Sequence, residues 1–177
     1  METVSRDERF LELAHLVGEP LRRYVVRRTS PDHAQDVLAE TMLVLWRRLD
    51  DVPTDDPLPW SYAVARNCLA NSGRSTRRQL RLAQRISIVD PPSETGDTAD
   101  EHPEVEAALR CLGELDREVV RLWAWEQLLP REIAEVTGLT ANAVSIRLHK
   151  AKKRLGAELG KSLPAAGQVL DEESGPR

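Results

Sequence analysis

Apolar positions recur at helical spacing along most of this chain, and strand-like alternation is scarce. Residues 9–17 and 21–28 predict two helices parted by Gly18 and Pro20. Ser30 followed by Pro31 is a helix start signal, a hydroxyl at the cap and a proline at the first position. From there Ala34, Val37, Leu38, Thr41 and Leu45 carry the pattern to about residue 49. Acids and prolines break it over 50–59, and a further helix is expected from Trp60 to about Arg81. Four more follow near 104–112, 116–126, 130–137 and 141–159. The expected class is all-α: two small helical domains, 1–85 and 105–160, joined by a flexible linker over 86–104 and followed by a tail over 161–177.

The sharpest local pattern lies in the last two helices. Ala134 occupies a close-packing position on the first, and Gly138, four residues later, suits a turn that needs positive φ. Thr140 then stands where a hydroxyl oxygen can accept from the free N–H groups of the next helix. On that helix Val144, Leu148, Ala151 and Leu155 make one apolar stripe. Asn142, Ser145 and His149 fall opposite it, and Arg147, Lys150 and Arg154 flank it. This is helix-turn-helix spacing: short polar groups read base edges in the major groove while cations hold phosphates. Ile146 also faces away from the stripe, toward a thymine methyl or toward a protein partner. The plain alternative is a helical hairpin with a solvated charged face.

Composition at first argues against nucleic acid. The chain has 177 residues with 25 Lys+Arg against 29 Asp+Glu, a net charge of −4. Two cysteines, Cys68 and Cys111, exclude a disulfide framework and an all-cysteine metal site. No apolar run approaches a membrane span and the first residues have no signal-peptide core, so membrane insertion is not expected and the expected location is the cytoplasm. The charge, however, is segregated. Residues 60–85 carry six arginines and no acid, while 86–109 carry seven acids and no base. Arg66, Arg74, Arg77, Arg78, Arg81 and Arg85 would fall within an arc of about 120° on one continuous helix, with Gly73 its weak point. A one-sided arginine stripe suits a phosphate backbone; the bland reading is a solvated face.

Other features read as structural. Asp36, Glu40, Arg47 and Arg48 are taken alone an ordinary exposed face. The four tryptophans lie mostly among apolar helical neighbours and read as core, and the two cysteines as packing residues. The histidines show no metal spacing, and no phosphate loop or nucleophile elbow is present, so neither a cofactor nor catalysis is expected.

Taken in order, AQDVLAETMLVLWRRL (34–49), PWSYAVARNCLANSGRSTRR (59–78), the acidic linker, LGELDREVVRLW (112–123) and LPREIAEVTGLTANAVSIRLHKAKKRL (129–155) resemble an extracytoplasmic-function sigma factor of the sigma-seventy family. The resemblance covers about residues 8–158. It implies a non-catalytic subunit that gives core RNA polymerase its promoter specificity, with a winged-helix-like second domain of the sigma region-four type. Asp36, Glu40, Thr41, Leu45 and Arg47 would dock on the clamp helices of the largest polymerase subunit, and the second domain would meet the flap. The loop over 49–59, with Arg66, Asn67, Arg74, Arg77 and Arg78, would hold and unpair the minus-ten element. Thr140, Asn142, Ser145, Ile146, Arg147, His149 and Lys150 would serve the minus-thirty-five element. The acidic linker would run toward the RNA exit path, and an anti-sigma factor is an expected partner. Ala143 and Ser145 replace a Thr and a Lys of the family pattern, so its upstream base preference does not carry over. From the residues alone two other classes stay open: a free-standing helix-turn-helix regulator, and a helical adaptor that binds only proteins.

Overall fold

The computed structural model describes the backbone of residues 5–84 and 103–162, and the side chains of 5–74 and 103–161. The linker and tail regions, and the side chains of Arg77, Arg78, Arg81 and Arg85, fall outside the described residues. The elements run α1 (Arg6–Val26), α2 (Pro31–Arg47), a short 3-10 turn (Leu49–Asp51), α3 (Pro57–Gln84), α4 (Pro103–Arg110), α5 (Glu114–Ala124), α6 (Pro130–Thr137) and α7 (Ala141–Ser162). Among the described residues there is no strand.

One helix stands where a break is expected. α1 begins at a reciprocal cap, with the Glu8 N–H donating to Ser5 Oγ at 3.2 Å and the Ser5 N–H donating to Glu8 Oε2 at 2.7 Å. It then passes straight through Gly18 and Pro20. Leu13, Val17, Leu21, Tyr24 and Val25 form an unbroken buried stripe along it, and that burial outweighs the roughly 3 kcal/mol of an interior proline. Leu16, whose carbonyl loses its partner to Pro20, is exposed, so water can take the freed acceptor. α3 likewise starts earlier than the pattern suggests, because Pro57 and Pro59 sit in a first turn that needs no amide donors. Gly73 does not interrupt it.

α1, α2 and α3 pack together around Val17, Leu21, Val37, Leu45 and Ala65, all essentially inaccessible. In the second half α5, α6 and α7 close around Val119, Leu122, Ile133 and Val144, with α4 packed on α7. The two halves touch: α3 packs on α6, and side chains at the end of α1 meet α5 and the turn after it.

The turn between α6 and α7 has the expected form. Gly138 has φ +73° and its N–H donates to the Ala134 carbonyl at 2.8 Å. A Cβ there would meet nothing within 4 Å, so only the backbone conformation resists substitution. Gly138→Ala is therefore expected to lower unfolding free energy by about 1–2 kcal/mol, read from urea denaturation. A neutral substitution would show that the turn relaxes to another conformation.

Candidate promoter- and polymerase-binding surfaces

The candidate recognition surface on α7 is built by its cap and its core stripe. The Ala143 N–H donates to Thr140 Oγ1 at 3.2 Å, and the Val144 N–H to the Thr140 carbonyl at 3.0 Å. Val144, Leu148 and Ala151 are buried and Leu155 partly so, which fixes the rotation of the helix. Asn142, Ser145, Ile146, His149 and Lys150 are then all exposed, within an arc of about 140°. Ser145 Oγ donates to the Ala141 carbonyl at 3.0 Å, which leaves its lone pairs as acceptors for a base-edge N–H.

Arg147 stands apart from this group. It is half-buried, and its Nη1 lies 2.7 Å from Asp116 Oδ1 at the start of α5. The guanidinium that the sequence assigns to DNA is thus also a tie between α5 and α7. A double-mutant cycle of Arg147→Ala and Asp116→Ala is expected to give a coupling of about 0.5–1 kcal/mol in unfolding free energy. A coupling of zero would leave Arg147 free to act on phosphate alone.

In the first half, the residues assigned to polymerase docking separate into two kinds. Asp36, Glu40 and Arg47 are exposed along one face of α2. Thr41 and Leu45 are not: both are 0% exposed and belong to the core of α1, α2 and α3. Thr41 Oγ1 donates back to the Val37 carbonyl at 2.7 Å, which satisfies the hydroxyl without a partner molecule. Leu43, 45% exposed, lies in line with Asp36, Glu40 and Arg47 at i, i+4, i+7 and i+11. The helical period of Asp36, Glu40 and Arg47 leads to this position, which the residue pattern alone did not single out.

The loop leading into α3 is more ordered than its acids and prolines suggest. Asp50 receives Arg6 Nη1 and Arg9 Nη1, each at 3.0 Å, and these hydrogen bonds hold its carboxyl below the usual range. Arg48 Nε reaches Asp51 at 2.9 Å, and its guanidinium lies 5.1 Å from the Trp60 ring centroid. Two of the loop's acids are therefore engaged by local arginines. Asp55 and Asp56 instead face the second half, where burial and then the charges of Asp56, Glu132 and Asp55 push the Glu135 carboxyl up. Beyond the loop, Asn67 and Arg74 are exposed on α3 and Arg66 is half-exposed.

Two further expectations change. Trp123 and Trp125 are exposed at 41% and 37%, because α5 turns its Val119–Leu122 stripe inward. Each ring is covered by cations: Lys152 Nζ lies 4.3 Å from the Trp123 centroid, and Arg27 and Arg121 lie 5.7 and 5.4 Å from Trp125. Cys68 is buried as expected, whereas Cys111 is exposed in the turn after α4. Among the described residues no group of His, Cys, Asp and Glu could hold a metal ion, and no helix is long and apolar enough to cross a membrane.

Comparison with known proteins agrees with this geometry. A family described as "Sigma-70, region 4" matches residues 102–155, which take in α4 to α6 and the first two thirds of α7. The RNA polymerase sigma-E factor of Streptomyces avermitilis is 29% identical over 156 residues, covering 85% of each chain. The RNA polymerase sigma factor CnrH of Cupriavidus metallidurans is 30% identical over 156 residues, covering 81% of this chain and 80% of that one. Among solved structures, the sigma factor RpoE bound to the anti-sigma factor NepR, from Bartonella quintana, has the same fold with a TM-score of 0.65 and 20% identity, over 85% of this chain and 96% of that one. CnrH bound to the cytosolic domain of CnrY gives 0.60 at 24% identity, over 87% and 89%. From its helix-turn-helix, its arrangement of helices and a relative at 30% identity across most of both proteins, this chain belongs to the extracytoplasmic-function RNA polymerase sigma factors, which direct promoter-specific transcription initiation.

Proposed function

We propose that residues 1–85 hold core polymerase and the minus-ten element, and that residues 105–160 read the minus-thirty-five element. The exposed α2 face of Asp36, Glu40, Leu43 and Arg47 docks on the clamp helices of the largest subunit, with Thr41 and Leu45 supporting it from beneath. The 49–59 loop with Arg66, Asn67, Arg74, Arg77 and Arg78 holds the unpaired minus-ten strand in a cationic groove. Asn142, Ser145, Ile146, His149 and Lys150 enter the major groove, Thr140 caps that helix, and Arg147 positions it against α5. The second half also meets the polymerase flap. The chain acts in the cytoplasm as a non-catalytic subunit, and an anti-sigma factor is its regulatory partner, as in the complex of RpoE with NepR.

The observation that carries this reading is the α6–α7 turn: Gly138 in the left-handed region and Thr140 at the cap together present a row of exposed polar side chains. The test is transcription from a matched promoter by purified bacterial core polymerase, with and without the protein. Initiation that depends on the chain supports the assignment. Tight operator binding without polymerase, together with no association with core, would replace it with a free-standing regulator.

A further inference from the structure

The turn after α5 sends one leucine inward and the next one out. Gln127 holds φ +56°, and this left-handed residue lets the Leu128 N–H donate back to the Leu122 carbonyl at 3.1 Å. Leu128 is thereby buried, whereas Leu129 stands 50% exposed. With Trp123, Pro130, and Leu148 and Lys152 of α7, the two leucines line an open groove of about 640 Å³. Lys152 Nζ lies over the Trp123 ring and, among the described residues, forms no ion pair. Arg131, next to Pro130, has a side chain 78% exposed, with its Nε 3.3 Å from Glu132. The floor of the groove is apolar and its rim is cationic.

A second feature leads out of this groove along α7. Gly156 and Gly160 follow Lys152 at i+4 and i+8, so the three form one row toward the end of the helix. Glycine inside a helix lowers its stability relative to alanine, and here it does so twice. At neither position would a Cβ meet anything within 4 Å. Packing among the described residues therefore does not require glycine there. A second backbone running close along the row does, because only glycine leaves no side chain in its way.

The chain itself carries a segment that fits both features. Beyond α7 the sequence reads LPAAGQVLDEES over 163–174, outside the described residues. Pro164 cannot extend the helix, and Gly167 suits a reversal. Two adjacent apolar residues follow, Val169 and Leu170, and directly after them Asp171, Glu172 and Glu173. That composition complements an apolar floor beside Lys152 and Arg131. The lengths agree as well. Lys152 precedes Ser162 by about 15 Å along the helix axis. The stretch from Ser162 to Val169 can span about 23 Å, enough to turn and run back to the groove.

We propose that residues 163–173 fold back along the Gly160–Gly156 row and seat Val169 and Leu170 in the Trp123–Leu129 groove, with the three acids against Lys152 and Arg131. Docked in this way, the acids withhold Lys152, one turn beyond His149, from DNA phosphate. That consequence rests on the functional reading above; the docking does not. Fluorine NMR of the full chain grown with 5-fluorotryptophan tests it, with Trp123 assigned through Trp123→Phe. Leu170→Asp is expected to shift the Trp123 resonance and raise its solvent isotope shift, while Trp46 and Trp60 stay unmoved. Gly156→Gln, which meets open space in the described fold, is expected to expose Trp123 in the same way by blocking the row. Circular dichroism of both variants should match that of the unsubstituted protein. A Trp123 resonance that is the same in the unsubstituted chain and in both variants overturns the docking. So does one that moves with protein concentration, which gives the groove to a second copy. One that moves only on adding core polymerase gives it to polymerase and overturns the docking too. Affinity for a minus-thirty-five duplex, measured in parallel, is expected to rise several-fold in Leu170→Asp. Release of the tail with no change in that affinity refutes the DNA assignment of this helix face and leaves the docking standing.

Discussion

Leu43→Asp is expected to weaken association with core polymerase by about 30-fold or more while leaving the fold intact. Leu43 is the apolar member of the exposed α2 stripe, between Glu40 and Arg47, and its side chain reaches solvent in the free protein. An apolar group at the centre of a charged docking face is where truncation or charge reversal has effects near 2 kcal/mol or above. An exposed position of this kind typically changes stability by no more than about 0.5 kcal/mol. Competition binding to purified core polymerase, run beside thermal unfolding, reads both quantities. Unchanged association would remove this face from the polymerase contact.

Leu45→Ala, two residues further on, is expected to do the reverse. Its side chain is 0% exposed among α1, α2 and α3, so truncation leaves a cavity and lowers unfolding free energy by about 2–5 kcal/mol. For a domain pair of this size that loss is a large share of the total stability. Polymerase affinity per folded molecule should stay within about twofold, since no atom of Leu45 reaches the surface. A stability change below about 1 kcal/mol would mean that α2 is rotated from the orientation described. The two substitutions together decide which face of α2 meets polymerase, and whether Thr41 and Leu45, both buried, act only by supporting that face.

Features set by neighbours in the chain were legible from the residues. The α6–α7 turn is the clearest case: Gly138, Thr140 and the Val144–Leu148–Ala151 stripe are local signals, and each does in the fold what its chemistry suggests. Pro20 misled because its cost is local whereas the compensating burial of Leu21, Tyr24 and Val25 is tertiary. The outward turn of Trp123 and Trp125 was hidden for the same reason, since Arg27 and Lys152 approach them from other elements. The ion pairs of Arg28 with Glu118 and Glu126 were the least accessible. Those partners lie 90 and 98 residues away in the chain, and nothing in the local pattern distinguishes Arg28 from the arginines around it. The exposed polar row on α7 was legible as a helix face, but the engagement of Arg147 by Asp116 required packing to be seen.

The placement of Trp125 gives the molecule a built-in optical gauge. Its ring lies between Arg27 of the first half and Arg121 of the second, whereas Trp46 packs edge-on against Phe10 within the first half, with centroids 5.1 Å apart. Separation of the halves would strip one cation from Trp125 and hydrate that side of the indole, shifting its emission to longer wavelength, while Trp46 stays unchanged. Intrinsic fluorescence of the unlabelled protein can therefore report a separation of the two halves in real time.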